Sequence, residues 1–196
     1  LLDPRKKSIT RSFNASHIIR YLLFTNRNAI VVHRINECDE RKNTKFMNRM
    51  LKRSNYIADH TIFIASWLKE LNLYFTNRPY SVILNGADER IFQNKSKSWN
   101  GKEKLKIITH HWGANLMKGF DIYKKLDELL DNPKWKNKIE FTYIGNLPSS
   151  VNFKNTKVIE PLIGKELADV INTHHLYLTA SINEPGGMHH IEGALC

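Results

Sequence analysis

Short apolar runs alternate with amphipathic helical patterns along most of this chain. The first half shows a strand pattern at 29–32, a helix at 44–56, a strand at 61–65, a helix at 66–73 and a strand at 81–84. The second half shows a strand at 105–109, a helix at 119–130, strands at 140–144 and 158–159, a helix at 164–172 and a strand at 176–180. Strands that alternate with helices favour parallel sheets covered by helices. The sequence therefore predicts an α/β chain of doubly wound type.

A polar segment separates the two halves. Residues 94–102 are rich in Asn, Lys, Ser and Gly, and this composition favours a linker. We therefore expect an N-terminal domain over residues 1–98 and a C-terminal domain over residues 99–196. The chain begins without Met and stops a few residues into a helical pattern, so we expect a fragment in which both domains are incomplete.

Positive charge is concentrated in the first half. Residues 1–98 carry 18 Lys and Arg against 8 Asp and Glu, whereas residues 99–196 carry 12 against 11. The excess could serve contact with an anionic partner such as phospholipid or nucleic acid, or only solubility. Part of it lies along one side of the predicted helix at 44–56, which could dock on anionic lipid or simply face solvent.

Neither a membrane span nor a disulfide framework is expected. No apolar run approaches the ~20 residues that a spanning helix needs. The two cysteines, Cys38 and Cys196, are too few for a disulfide framework, and this favours a reducing cytoplasmic setting.

The segment with the most candidate ligand-binding residues follows the last predicted strand. Glu184 is followed there by Pro and by Gly186 and Gly187, and a helical pattern begins at Met188. A helix N-terminus offers unpaired N–H groups and partial positive charge, and glycines let the backbone come close to an anion. A phosphate could therefore bind at this turn without a metal, flanked by Glu184 and Glu192.

A second polar loop follows the first strand of the second half. It carries His110, His111 and Trp112, contains no Arg, and leads to Lys118 and Gly119 at a predicted helix start. A lysine at that place is unfavourable beside the positive end of the helix dipole unless an anion is present. The position of Lys118 therefore favours a phosphate ligand.

Three pairs of adjacent histidines stand at 110–111, 174–175 and 189–190. Neighbouring side chains diverge by ~180° on a strand and ~100° on a helix, so neither arrangement chelates a metal easily. No Cys-x-x-Cys or His-Glu-x-x-His spacing is present. We therefore expect no metal site.

Five motifs occur in one order along the chain. They are a His after an apolar strand (His33), Ala-Asp before a strand that ends in Ser (58–66), Asn-Gly-x-Asp (85–88), Lys118-Gly119, and the glutamates Glu184 and Glu192 eight positions apart. His33 is expected at the carboxyl end of the strand predicted at 29–32. This order, from about residue 29 to residue 196, resembles family 4 of the glycosyltransferases. These are retaining enzymes with the GT-B fold, in which two Rossmann-like doubly wound domains face a cleft.

The resemblance implies transfer of a sugar from a nucleotide diphosphate-sugar to an acceptor hydroxyl, with neither metal nor cofactor. Lys118 would contact the diphosphate, Glu184 the sugar and Glu192 the ribose. His33 would meet the sugar near the reacting carbon, so the catalytic set would be His33, Lys118 and Glu184. Many members carry an Arg in the loop after the first strand, and a protonated His111 could take its place. The donor-binding set would comprise His111, Lys118, Glu184, Gly186, Gly187, Met188 and Glu192.

The expected partners follow from the same resemblance. They are a nucleotide-sugar donor, a sugar or lipid-linked acceptor and, at the membrane periphery, an anionic surface, with no nucleic acid. The protein would act in the cytoplasm, in synthesis of a glycan, polysaccharide or glycolipid. Two alternatives stay open. A nucleotide-sugar epimerase or phosphorylase of this fold would share the glutamate pair, and a noncatalytic nucleic-acid-binding module would use the basic first half.

Overall fold

Two parallel β-sheets, each with its own helices, form the framework of the chain. The structure, a computed structural model, describes residues 14–95 and 98–196. Unit 1 contains the described residues up to Asn85 together with residues 183–186, and unit 2 contains residues 86–182 and 187–196. The mixed α/β prediction is therefore confirmed. Within the described ranges, no helix combines the length and the apolar character that a membrane crossing requires.

Unit 1 is built on a three-stranded parallel sheet in the order β1-β2-β3. Its elements are α1 (Ala15–Phe24), β1 (Val32–Ile35), α2 (Asp39–Lys42), α3 (Met47–Asn55), β2 (His60–Phe63), a 3₁₀ helix (Ser66–Leu71) and β3 (Tyr80–Val82). Ile35 and Phe63 are register partners at the ends of β1 and β2 and are fully buried. Leu51 of α3 and Leu68 of the 3₁₀ helix belong to the same apolar cluster.

The first strand lies further along the chain than predicted. Val31, His33 and Ile35 are buried whereas Val32 and Arg34 are exposed, and this alternation over two residues is that of a strand. Pairing with β2 from Val32 to Ile35 fixes the register. His33 therefore lies inside β1, and the prediction that it stands at the carboxyl end of the strand was wrong.

Unit 2 is built on a four-stranded parallel sheet in the order β6-β5-β4-β7. Its strands are β4 (Leu105–His111), β5 (Ile139–Gly145), β6 (Lys157–Ile159) and β7 (Leu176–Tyr177). Its helices are a 3₁₀ turn (Leu116–Lys118), α4 (Phe120–Leu129), α5 (Pro133–Lys136), α6 (Gly164–Ile171) and α7 (Met188–Leu195). The central strands β4 and β5 are each buried over their last five residues, as expected of parallel strands covered on both faces.

Helices cover both faces of the unit 2 sheet. Ile107 lies in one apolar cluster with Phe120 of α4, and Ile108 lies in another with Leu167 of α6. Successive residues of a strand point to opposite faces, so α4 and α6 lie on opposite sides of β4. This is the doubly wound arrangement that the alternation of strands and helices predicts.

Gly145 ends β5 opposite His111 of β4. Its φ is +133°, and a Cβ added there would collide with the carbonyl group of His111. Because the obstacle is backbone, it cannot rotate away. We expect Gly145→Ala to lower the free energy of unfolding by about 3 kcal/mol, measured by urea unfolding of the intact protein.

The matched control for this substitution is Gly113→Ala in the loop after β4. A Cβ added at Gly113 meets no atom within 4 Å, and its φ is not in the left-handed region. We expect its stability to stay within about 0.5 kcal/mol of the unmodified protein. Equal losses in the two variants would contradict the role of the close approach at Gly145.

Candidate functional site

The carboxyl ends of β4 and β7 lie side by side in the unit 2 sheet, because the two strands pair in parallel. The loops that follow them are in contact. Ile182 N–H donates to the carbonyl of Met117 at 2.9 Å, and a Cβ on Gly119 would collide with the backbone of Ala180. The Lys118 loop and the segment that leads to α7 are thus neighbours at one edge of the sheet.

Local sequence explains how Lys118 comes to stand before α4. The side chain of Asn115 accepts a hydrogen bond from Met117 N–H at 2.8 Å and so starts the short 3₁₀ turn. Gly119 follows with φ +88°, a left-handed conformation that glycine adopts without strain. This residue turns the chain into α4 and leaves Lys118, half-buried, at the junction.

Four histidine side chains from the two loops form a cluster, here called the histidine cluster: His110, His111, His189 and His190. The ring centroids of His111 and His189 are 4.6 Å apart, and those of His189 and His190 are 4.1 Å apart. His110 and His189 lie 6.1 Å apart. The adjacent rings of His189 and His190 do not diverge as predicted, and the meeting of two loops also brings members of different pairs together.

His111 is an uncharged member of this cluster near neutral pH. Burial, reinforced by the positive charge of Lys118, lowers the pKa of His111 to about 3. The Tyr123 hydroxyl lies 2.8 Å from Nε2 and accepts hydrogen bonds from Ala180 N–H and from the Thr109 hydroxyl, so its own proton is donated to His111. The imidazole proton is then on Nδ1, for which the described residues provide no acceptor. His111 therefore supplies an N–H group here, not the positive charge of an arginine.

His189, in the first turn of α7, is also kept neutral. Burial is the main cause of its lowered pKa, and His111, His190 and Lys118 contribute positive potential. Its Nε2 lies 3.3 Å from the hydroxyl of Thr179. His189 is the second residue of α7, and its ring centroid lies 4.6 Å from that of His111, so the loop after β4 reaches the start of α7.

Glu192 projects from α7 to the same edge of the sheet. Its Oε2 lies 2.8 Å from His110 Nε2, and its side chain is 14% exposed. His110 Nδ1 in turn lies 3.0 Å from the hydroxyl of Tyr177 on β7. The carboxylate predicted to contact ribose is therefore in unit 2, close to the histidine cluster.

Glu184 belongs to unit 1, although it follows β7 in the sequence. Its Oε1 lies 3.2 Å from Arg41 Nε, and its side chain is only 5% exposed. Arg41 also pairs with Glu37 at 2.6 Å. The sequence reasoning did not single out Arg41, and the spacing of Glu37 and Arg41 on a helical turn was the only local signal for it.

The two glycines of the turn have different surroundings. Gly186 lies in unit 1, where its carbonyl accepts a hydrogen bond from Asn85 Nδ2 at 2.6 Å. A Cβ on Gly186 would come within 2.7 Å of Ile64 Cδ1. Gly187 precedes Met188, the first residue of α7, and both belong to unit 2. Close packing in unit 1 thus accounts for Gly186, whereas Gly187 is the N-cap residue of α7.

His33 lies in the interior of unit 1 and is fully buried. Its Nδ1 is 3.1 Å from Asn55 Nδ2, which also donates to the hydroxyl of Thr61. Asn55 Oδ1 accepts from Phe75 N–H. These contacts tie β1, α3 and β2 together, and the predicted contact of His33 with a sugar stays a prediction.

The basic side of α3 borders a cavity of about 370 Å³. Lys52 Nζ lies 5.6 Å from the centroid of the Phe75 ring, an attractive cation–π geometry. The lining of this cavity combines cations, amides and apolar side chains: Asn48, Arg49, Lys52, Arg53, Leu71, Asn72 and Phe75.

Across residues 14–95 and 98–196, no group of three or more His, Cys, Asp or Glu is arranged to hold a metal ion. No protein-family model matches the sequence, and a search of curated proteins finds no similar one.

Proposed function

We propose that this protein is a retaining glycosyltransferase of the GT-B type, similar to family 4, and moves a sugar from a nucleotide diphosphate-sugar to an acceptor hydroxyl. The observation that carries the proposal is the meeting of the Lys118 loop with the segment that leads to α7 at the carboxyl edge of the unit 2 sheet, where Ile182 N–H donates to the carbonyl of Met117. Open α/β sheets bind ligands beyond this edge, and a helix start there favours phosphate.

The chemistry follows from the charge that develops during transfer. The bond between the anomeric carbon and the diphosphate oxygen breaks, and negative charge grows on the departing diphosphate. The ammonium of Lys118 and the backbone N–H groups at Gly187 and Met188 would donate hydrogen bonds that stabilise this charge.

The other motif residues take supporting roles in this proposal. Glu192 would accept hydrogen bonds from the ribose, and Glu184, oriented by Arg41, would accept them from the sugar. His111 would stay neutral beneath the donor site, where it accepts a hydrogen bond from the Tyr123 hydroxyl. This chemistry requires neither a metal nor a cofactor.

The basic side of α3 supports an anionic partner for unit 1. The cavity is lined by the cations Arg49, Lys52 and Arg53 and by the apolar side chains Leu71 and Phe75. A ligand in it would contact both kinds of group. A lipid-linked acceptor, or the surface of an anionic membrane reached from the cytoplasm, has the complementary chemistry. Synthesis of a glycan, polysaccharide or glycolipid is the process that we propose.

Ligand-dependent thermal unfolding of the intact protein tests the donor site. We expect uridine, guanosine or adenosine diphosphate, alone or as a sugar conjugate, to raise the melting temperature. Saturation at 100 times the dissociation constant stabilises the folded state by about 2.7 kcal/mol. Product analysis then separates sugar transfer from epimerisation and phosphorolysis. If none of these nucleotides raises the melting temperature, the proposal fails.

A further inference from the structure

Two side chains hold Glu192 and have no role in the proposed function. His110 Nε2 lies 2.8 Å from Glu192 Oε2, and the Tyr177 hydroxyl lies 3.0 Å from His110 Nδ1. The three residues come from α7, β4 and β7, so the contacts join separate parts of unit 2. His110 is buried, and the described residues provide no hydrogen-bond partner for the second carboxylate oxygen of Glu192.

The hydrogen bonds have a defined direction. A carboxylate oxygen only accepts, so His110 Nε2 carries the proton that it donates to Glu192. A neutral imidazole with its proton on Nε2 accepts at Nδ1, where the Tyr177 hydroxyl donates. The tyrosine thereby fixes the tautomer of the histidine, and the histidine fixes one oxygen of the carboxylate.

Backbone packing holds α7 against the same tyrosine. A Cβ added to Gly193 would collide with the ring of Tyr177, so the helix lies directly on this ring. Glu192 is the preceding residue of α7 and cannot move away from β7 without breaking this contact. Its rotamer and its backbone position are therefore both restrained.

We propose that His110 and Tyr177 are positioning residues that orient Glu192 to accept a hydrogen bond from a ribose hydroxyl, and so make the site selective for ribonucleotides over deoxyribonucleotides. The inference rests on the proposed function, in which Glu192 contacts the nucleotide ribose. His110 occupies one carboxylate oxygen and leaves the other for the ligand. A deoxyribose leaves the carboxylate with an unmade hydrogen bond. An acceptor that is held in place cannot turn to another partner to recover this bond, so it discriminates better than a mobile one.

Calorimetric titration of the intact protein with uridine, guanosine and adenosine diphosphates and their 2′-deoxy and 3′-deoxy forms tests this. A hydrogen bond to a carboxylate predicts that one ribonucleotide binds about tenfold to a hundredfold more tightly than a deoxy form. Glu192→Ala should abolish the preference. His110→Phe should reduce it to less than about threefold, if most of it depends on orientation. Tyr177→Phe should also reduce it, because the tautomer is then no longer fixed.

Two further variants separate positioning from simple stability. His110→Gln should retain most of the preference, because one amide can accept from Tyr177 and donate to Glu192. His174→Phe is the matched control, because His174 is also a buried histidine of unit 2 and forms hydrogen bonds at both ring nitrogens, with Val170 and Thr142. This substitution should lower the free energy of unfolding and leave the ratio of ribonucleotide to deoxyribonucleotide affinity unchanged.

The outcomes distinguish the two proposals. Absence of binding by every nucleotide would overturn the proposed function and, with it, this inference. Binding with a preference that Glu192→Ala removes and His110→Phe leaves intact would overturn the inference alone. Loss of the preference in His110→Phe and its return in His110→Gln would support it.

Discussion

Lys118→Ala is expected to lower the turnover of sugar transfer by about 100-fold to 1,000-fold, the usual loss when one fixed donor to a developing anion is removed. Lys118 stands at the junction of the 3₁₀ turn and α4, and it adds positive potential at His111 and His189. Its charge therefore acts where the leaving diphosphate would lie. The measurement is release of nucleoside diphosphate and formation of glycoside by the intact protein, with the donor that raises the melting temperature.

Lys125→Ala is the matched control, because Lys125 is an exposed lysine on the same helix α4. We expect its turnover to stay within about twofold of the unmodified protein, as is usual for exposed sites away from the chemistry. Unchanged turnover in Lys118→Ala would contradict the proposed function. Lys118 gives a cleaner test than Glu184, since Glu184→Ala would also remove the ion pair with Arg41 inside unit 1.

The order of strands and helices could be predicted because buried parallel strands leave a strong sequence signal. In unit 2, β4 and β5 have buried centres rich in Ile, Phe and Tyr, and α4 and α6 have apolar residues at helical spacing. The helices α1, α2 and α5 were not predicted. Of these, α2 and α5 have four residues each and no such periodicity. The last strand, predicted at 176–180, is only Leu176–Tyr177, because Ala180 N–H bonds to the hydroxyl of Tyr123 and not to β4.

The candidate site could be predicted only in part, because a motif specifies residues and not their partners. The loop with Lys118 and the segment that leads to α7 are adjacent, as expected for carboxyl ends of neighbouring parallel strands. The pairing of Glu184 with Arg41 depends on residues 183–186 lying in unit 1, which no local pattern indicates. Likewise, only the tertiary packing around His111 reveals that its pKa is too low for a cationic role.

Mild acid is expected to destabilise the protein through the histidine cluster. Burial lowers the pKa of His111 to about 3 and also lowers that of His189, whereas an unfolded histidine titrates near 6.5. Below pH 6.5 the unfolded state therefore binds more protons, and stability is lost as the pH falls toward the folded pKa. Each such histidine should cost about 1.4 kcal/mol per pH unit. Above about pH 6.5, a buried neutral histidine adds no pH dependence to the free energy of unfolding. The buried His174, whose pKa is lowered in the same direction, adds to the trend.

Urea unfolding of the intact protein between pH 6.5 and pH 5 measures this slope. His111→Gln keeps an acceptor for the Tyr123 hydroxyl but cannot titrate, so the slope should fall by about 1.4 kcal/mol per pH unit. Tyr143→Phe is the control, because Tyr143 lies 6.1 Å from His111 between ring centroids and burial raises its pKa far above this range. That variant should lose stability equally at every pH in the window. If His111→Gln and Tyr143→Phe have the same slope, then His111 is not the buried neutral group that lowers stability in acid.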